Sequence, residues 1–375
     1  MDFNLTEERR MLQETLRRYL TDRYTTEMRN GIIDSEAGFS AEIWTELAEL
    51  GVIGALFSEG DGGFGGAGFD IATVFGELGR AGVVEPFLDT AVLGGGLVAA
   101  LGDDGQKALL GDVIAGGLHL ALAHGEPASR YDLSRVETSM RGDGGDVVLN
   151  GRKAVVINAE AAGYLIVSAR ESGGFFDLDG ISLFLVPVGT KGVTRRGYPM
   201  LAGGRAAEVV LDEVRLPGAA RLGEAGKGFA PLMDAVAAAN VALAAETVGA
   251  MESAVELTRE YLMTRKQFGR PIGTFQALQH RFADLLIELE QARSAVINAA
   301  GHLEARDRDR QIAAARNLIA RAGRLVAEEA IQMHGGIAMT QEYELAHIAK
   351  RIVMADHRFG DADYHLERFI ALSAA

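Results

Sequence analysis

The middle of the chain breaks into six short apolar runs: LHLALAH (118–124), DVVLNGRKAVVI (146–157), YLIVSAR (164–170), ISLFLVPV (181–188), GVTRRGY (192–198) and AEVVLDEVRL (207–216). Their Val, Ile and Leu content favours strands, and Gly142–Asp143–Gly144 and Asn150–Gly151 have the composition of turns between them. Short strands at this spacing predict a compact β-barrel or sandwich, which Pro217–Gly218 ends.

The segments on either side of these runs have the period of helices. Thr6 is placed to cap a first helix, in which Leu12, Leu16 and Leu20 form one apolar stripe. After Gly228, periodic segments cover four stretches, 229–264, 274–305, 310–333 and 342–358. Segments of about 30 residues are longer than usual globular helices and favour packing in a bundle.

The predicted fold is therefore mainly α with a β insert. An N-terminal helical domain would cover residues 1–117, and a middle β-barrel or sandwich domain would cover 118–218. A C-terminal four-helix bundle would cover 219–375.

Composition narrows the functional classes. The 375 residues include 52 acidic and 37 basic side chains and no cysteine, for a net charge of −15. Such acidity argues against binding to nucleic acid, and the lack of cysteine excludes disulfides and thiolate catalysis. The beginning of the chain does not have the pattern of a signal peptide, and Asn240 and Glu246 interrupt the longest apolar stretch, 235–251. We expect a cytoplasmic protein without a membrane span.

A glycine-rich segment, GFGGAG at 63–68, matches the dinucleotide-binding pattern G-x-G-x-x-G. That pattern binds a pyrophosphate only between a strand and a helix of a parallel βαβ unit. An amphipathic helical segment precedes it here, so we predict an interhelical loop instead.

Three other segments carry a resemblance to a known family. They are RKQFGRPIG (265–273) followed by Phe275–Gln276, IQMHGG (331–336), and Glu126–Pro127 after the first β run. Together with the helix–sheet–helix order, they resemble the acyl-CoA dehydrogenase family over essentially the whole chain. The resemblance implies FAD as cofactor and oxidation of a CoA thioester to its trans-2-enoyl form.

The resemblance also implies which residues hold the ADP half of FAD, a cofactor bound mainly by the neighbouring subunit. They are Arg265, Phe268, Gln276, Gln332, Gly335 and Gly336. A fixed cation and closely approaching backbone N–H groups suit a pyrophosphate. The alternative is that Arg265 is a solvated charge and that the two glycines only end a helix. For His334, a structural or flavin-side role is preferred to metal binding, since no second ligand lies at i+4.

The family's catalytic glutamate is missing from both of its known places. Gly360 stands where most members carry it, and Ala239 stands where a second group does. Two substitutes remain open as fallback bases. Glu246 lies two helical turns beyond Ala239, about 10.5 Å along the axis, and Asp361 lies beside Gly360, with Asp363 close by. We expect no catalytic residue in this chain.

The strand that faces the flavin in the family is altered too. Val155 and Ile157 replace a usual tryptophan and threonine, so neither ring stacking nor a hydroxyl contact is available. MDFNLTEERR (1–10), SRYDL (129–133), GVTRRGYP (192–199) and FGDAD (359–363) resemble the subgroup typified by the small subunit of pimeloyl-CoA dehydrogenase, whose relatives form two-plus-two heterotetramers.

The leading hypothesis is the small, half-site subunit of a heteromeric acyl-CoA dehydrogenase. Its partners would be an acyl-CoA substrate, a larger homologous subunit with the catalytic glutamate, and an electron-transferring flavoprotein as acceptor. The alternatives are a self-sufficient homotetramer with a displaced base, other flavin chemistry on a CoA thioester, and a non-enzymatic binding protein of the same fold. The acyl group, dicarboxylyl or steroid side chain or other, is left open.

Overall fold

The computed structural model of the chain describes residues 5–374. Within them the α-helices are α1 (Glu7–Arg23), α2 (Thr26–Asp34), α3 (Ala41–Glu49), α4 (Gly68–Ala81), α5 (Gly96–Leu101), α6 (Asp104–Lys107), α7 (Leu109–Ile114), α8 (Phe229–Thr264), α9 (Gln276–Gly301), α10 (Arg308–His334), α11 (Glu344–Ala355) and α12 (Ala362–Ala374). The strands are β1 (Leu120–Ala123), β2 (Ser139–Asp143), β3 (Asp146–Ile157), β4 (Tyr164–Arg170), β5 (Ile181–Pro187), β6 (Val193–Pro199), β7 (Arg205–Pro217), β8 (Arg221–Leu222), β9 (Lys266–Gln267) and β10 (Arg270–Pro271).

The chain divides into two compact units. The helical unit comprises Met1–Asn30, Ala67–Val83 and Asn240–Ala375. The sheet unit comprises Gly31–Gly66 and Val84–Ala239. The predicted class, helices on both sides of a β region along the chain, is confirmed.

One eight-stranded mixed sheet forms the sheet unit. Its strands follow the order β6-β7-β3-β2-β4-β5-β8, and β1 pairs in parallel with β4. The apolar runs at 146–157 and 164–170 are β3 and β4. The predicted turn at Asn150–Gly151 is wrong: these residues lie inside β3, where the register with β7 shifts and the Asn150 side chain bonds to Glu213. The polar strand β2 was not predicted, because its residues lack an apolar face.

The helix limits were predicted best for the longest segment with helical periodicity. α8 spans the predicted 229–264, whereas α9, α10 and α11 begin or end one to four residues from the predicted limits. Thr6 caps α1 by accepting the N–H of Arg9, as predicted. The final helix, α12, was not predicted.

The glycine-rich segment at 63–68 is a connection that leads into α4, and no strand lies between residue 5 and this segment. A Cβ on Gly65 would lie 2.2 Å from the Ala55 carbonyl oxygen, and one on Gly63 would lie 2.3 Å from that of Gly54. These glycines are therefore explained by close packing of the loop on its own unit, and the prediction of a loop is confirmed.

Backbone contact joins α4 to α8 in the helical unit. A Cβ on Gly79 would lie 2.0 Å from the Glu246 carbonyl oxygen, and one on Gly249 would lie 2.0 Å from that of Gly76. Only glycine permits helices to approach so closely at these positions. The two helices consequently pack without intervening side chains at this crossing.

A π-helix at Leu88–Gly95 precedes α5 in the sheet unit, and all of its residues are buried. Its Thr90 hydroxyl donates to the Leu120 carbonyl at 3.3 Å and accepts from the Asn158 amide at 3.1 Å. The wider i→i+5 turn thus places a polar side chain against β1 and the residue that follows β3.

The helix α8 is long and apolar enough, by length and composition, to cross a membrane. Its most apolar 18-residue window has a mean hydropathy of 1.3, and 72% of that window is buried inside the protein. A helix buried in a protein core can have the same length and apolar composition, so these properties are weak evidence for a membrane span.

Candidate functional site

A short β-hairpin with a two-residue turn follows α8 in the helical unit. β9 and β10 pair antiparallel, with Gln267 opposite Arg270, and Phe268 and Gly269 form the turn with φ of 53° and 80°. Left-handed φ at both central residues defines a type I′ turn, where Asn and Gly are favoured. Phe268 is 89% exposed. An exposed aromatic ring in an unfavourable backbone conformation indicates a function in binding.

The hairpin is held rigidly at its base. The Ile272 N–H donates to the Arg265 carbonyl at 2.8 Å, and the Arg265 N–H donates to the Tyr261 carbonyl at 2.8 Å. The ring of Phe275 meets the Phe268 ring edge-on at 6.2 Å, and the Arg270 guanidinium lies 4.3 Å from the Phe275 centroid. The turn is therefore presented on a fixed platform.

The second motif lies at the C-terminal end of α10. Gly335 adopts a φ of 72°, and nothing lies within 4 Å of a Cβ placed on Gly335 or Gly336. His334 is buried and stacks on Tyr261 at 4.5 Å. This stack brings the end of α10 to the end of α8, from which the hairpin emerges, so the two sequence motifs belong to one region of the helical unit.

His334 has a structural role in this arrangement. Its Nδ1 lies 2.8 Å from the Ala330 carbonyl oxygen, and the Tyr343 ring packs against it, tilted, with a centroid distance of 5.4 Å. Burial lowers the pKa of His334. Within residues 5–374, no group of three or more His, Cys, Asp or Glu side chains could hold a metal ion.

The donors in this region suit an anionic dinucleotide. The predicted cofactor residues Arg265, Phe268, Gln276, Gln332, Gly335 and Gly336 are all exposed. The first turn of α9, which begins at Gln276, has neither a side-chain cap nor an acidic residue. Free N–H groups at a helix start and exposed guanidinium groups attract a diphosphate, and an exposed ring offers a face to a base. The residues present therefore fit the ADP half of FAD.

The two alternative bases have other partners. The Glu246 carboxylate accepts the Arg351 Nε–H at 2.7 Å in a largely buried ion pair between α8 and α11. The Asp361 carboxylate accepts the Tyr364 N–H at 2.9 Å, as a capping side chain before α12. Ala239 is fully buried. Each arrangement favours a packing or capping role.

The altered strand β3 contains a bulge. Lys153 pairs with Val209 and Val156 pairs with Ala207, so Ala154 and Val155 together face Glu208. Val155 has a φ of 53°, which is costly for a β-branched residue, and it is 58% exposed. The bulge turns Val155 outward, while its N–H donates to Glu208 at 3.3 Å.

A buried polar cluster behind this bulge was not singled out from the sequence. Lys153 is fully buried, and its ammonium donates to the Glu126 carboxylate at 2.7 Å and to the Ser168 hydroxyl at 3.0 Å. Glu126 also accepts the N–H groups of Glu137 and Thr138. The sequence signal that could have indicated this cluster is Lys153, a charged residue within the apolar run at 146–157.

The electrostatics of the cluster follow from burial. Burial lowers the pKa of Lys153 to about 8, against the opposing effect of Glu126. Burial raises the pKa of Glu126, but the Lys153 ammonium and the hydrogen bonds outweigh it, so this pKa lies below its usual value. The ion pair fixes the segment around Glu126 to the strand that carries Val155.

Comparison with known proteins places this geometry in a family. Family models described as the N-terminal, middle and C-terminal domains of acyl-CoA dehydrogenase match residues 6–117, 121–214 and 226–371. A probable acyl-CoA dehydrogenase of Bacillus subtilis, YngJ, is 29% identical over 99% of this chain and 98% of its own length.

Solved structures agree with the sequence comparison. Butyryl-CoA dehydrogenase from Megasphaera elsdenii superposes with a TM-score of 0.91 at 27% identity, covering 100% of both chains. The complex of ChsE4 and ChsE5 from Mycobacterium tuberculosis contains a chain that matches with a TM-score of 0.89 at 25% identity, over 100% of this chain and 99% of that one.

Proposed function

The chain belongs to the acyl-CoA dehydrogenase family of FAD-dependent oxidoreductases, and from that premise we propose that it is the half-site subunit of a heteromeric enzyme. It would clamp the ADP half of an FAD held chiefly by a larger homologous subunit. That partner would also supply the catalytic carboxylate.

One contrast carries the proposal. The residues that would reach a neighbour's FAD are intact and exposed around the hairpin at Phe268, whereas the positions that would serve the chain's own substrate are empty or altered. Gly360 carries no side chain, Ala239 is buried, and Val155 offers no ring. A heteromeric enzyme tolerates the loss of catalytic residues from one subunit, provided that its partner carries them.

Apolar side chains on the helical unit support assembly with another subunit. Leu286 and Ile287 are exposed on α9, and Leu366 and Ile370 are exposed on α12. Exposed apolar side chains grouped on helices are typical of protein interfaces. We propose that a partner subunit of the same fold covers these side chains in a tetramer; the ChsE4–ChsE5 complex, which contains a chain similar to this one, supports association of such chains.

The division of labour follows from the chemistry of the family. FAD supplies the acceptor for the hydride that leaves the β-carbon of a CoA thioester. In this chain, Arg265 would bind the pyrophosphate, Phe268 would cover the nucleotide, and the backbone at Gly335 and Gly336 would approach the phosphates. An electron-transferring flavoprotein as acceptor and a cytoplasmic location complete the proposal.

The test measures flavin retention in the complex co-purified with its partner subunit. Arg265→Ala should raise the Kd for FAD at least about tenfold, because one charge-assisted contact contributes roughly 1.5–3 kcal/mol. The matched control is Arg324→Ala, which removes an exposed arginine of α10 that pairs with Glu328. Equal flavin absorbance in both purified variants after gel filtration would contradict the proposed clamp.

A second measurement addresses the self-sufficient alternative. The chain expressed alone should retain little FAD, and co-expression with the partner should restore it. Near-full flavin in the isolated chain, with activity that Glu246→Gln abolishes, would replace the half-site proposal with a homotetramer.

A further inference from the structure

We infer that Tyr364 and His365 fill the space in which a catalytic side chain on residue 360 would stand, so that this chain's own base position is closed by packing. The inference rests on the proposed function and deepens it. If only the glutamate were missing, one mutation at Gly360 could restore it. If neighbouring rings occupy the space, a glutamate at this position would not fit without further changes.

The backbone around residue 360 is the first observation. Phe359 has a φ of 58° and Gly360 has a φ of 119°, a conformation that residues with a side chain rarely adopt. An ideal Cβ on Gly360 would lie 2.1 Å from Cδ1 and 2.7 Å from Cε1 of Tyr364, and 3.0 Å from Nε2 of His365. A side chain at this position therefore meets both rings at its first carbon.

The two rings are fixed where they stand. Tyr364 and His365 lie in the first turn of α12, and their rings meet edge-on at 5.3 Å. The Asp361 carboxylate accepts the Tyr364 N–H, and the Asp361 carbonyl accepts the His365 N–H at 3.0 Å. Arg368 lies 3.4 Å from the Tyr364 hydroxyl and also pairs with Asp309. The Asp361 hydrogen bonds hold the backbone from which both rings project, and the edge-on contact with the Arg368 contact position the rings themselves.

The preceding turn is held from the opposite side. Arg316 of α10 is buried, and its guanidinium donates to the Ala355 and Arg358 carbonyls at 2.9 and 3.1 Å. Ala355 ends α11, where a cation is favourable, and Arg358 lies in the turn that follows. The turn from α11 to α12 is thus clamped, and residue 360 cannot readily shift outward.

His365 does not replace the missing carboxylate. It is 3% exposed, and within residues 5–374 neither ring nitrogen has a hydrogen-bond partner. Burial, with the positive charges of Arg316 and Arg368, lowers its pKa to about 3. A buried imidazole of such low basicity cannot reach or accept the α-proton of a substrate.

The first arm of the test is thermal stability. Gly360→Ala, at a φ of 119°, is compared with Gly145→Ala, whose φ is also strongly positive at 102° but whose Cβ would meet nothing within 4 Å. Both variants carry a similar backbone cost, and only Gly360→Ala adds overlap. We expect its Tm to lie about 5 °C below that of Gly145→Ala, and the excess to disappear in a Tyr364→Ala background. Equal Tm values for the two glycine variants would overturn the inference.

The second arm uses the absence of cysteine from the sequence. The thiol of Gly360→Cys should react with a disulfide reagent at least about tenfold more slowly than that of Met11→Cys, which lies on an exposed face of α1. Adding Tyr364→Ala should restore reactivity. Equal rates in the two single variants would show an open position. Neither arm involves FAD, so this inference can fail while the Arg265→Ala result stands, and the reverse.

Discussion

Replacing Gly79 by alanine should weaken the contact between α4 and α8. The added Cβ would lie 2.0 Å from the Glu246 carbonyl oxygen and 2.6 Å from its carbon, so the helices must separate by more than an ångström to reach ordinary contact. Overpacking of this kind costs about 1–3 kcal/mol. Alanine gains up to about 1 kcal/mol over glycine in a helix, which offsets only part of the cost.

Gly76 provides the matched control on the same helix, because nothing lies within 4 Å of a Cβ placed there. Gly76→Ala should therefore be neutral or stabilising by up to about 1 kcal/mol. The two variants are compared by urea unfolding followed by far-UV circular dichroism, which monitors the helices. Gly79→Ala and Gly76→Ala with the same midpoint would refute the argument from backbone contact.

Three further perturbations test the rest of the structure. Lys153→Met leaves the Glu126 carboxylate buried without its cation and should cost about 3–5 kcal/mol in urea unfolding, much of it recovered by adding Glu126→Gln; no loss would contradict a buried ion pair. His124 and His365 have pKa values of about 3 in the folded chain, so only the unfolded chain takes up their protons below pH 6.5. Stability should consequently fall between pH 6.5 and 3, by up to about 1.4 kcal/mol per pH unit for each histidine, and replacing either by Gln should flatten the urea midpoint–pH profile. Val155→Gly should raise Tm, because glycine adopts this left-handed backbone without strain and the exposed valine side chain contributes little packing; a lower Tm would contradict strain at this position.

Local patterns predicted most of the fold because they reflect burial of a repeating face. α8 and β4 carry uniform runs, and their predicted limits agree with the structure; the two ends of β3 agree as well, although a turn was wrongly predicted within it. β2 and the bulge within β3 could not be predicted in this way, since hydrogen bonding to neighbouring strands, and not an apolar period, determines them.

The residues of the candidate site also fall into two groups, those that sequence motifs identified and those that only the structure revealed. Arg265, Phe268 and the two glycines after His334 were identified from the sequence through the family resemblance, and the structure shows them exposed in one region. Glu126 was noted as part of a motif, but its pairing with the buried Lys153 was not predicted, and neither were the rings that close Gly360, because these groups come together only through tertiary contacts. The spacing of residues along the sequence does not show which side chains pack next to a glycine.

The π-helix at Leu88–Gly95 has a consequence for aligning this chain with its relatives. A wide turn contains one residue more than an α-turn over the same rise, so a single-residue gap in this segment would mark relatives that have an ordinary helix. A relative with that gap would keep the helix that follows in register, but it would lack the widened turn that places Thr90 against Asn158.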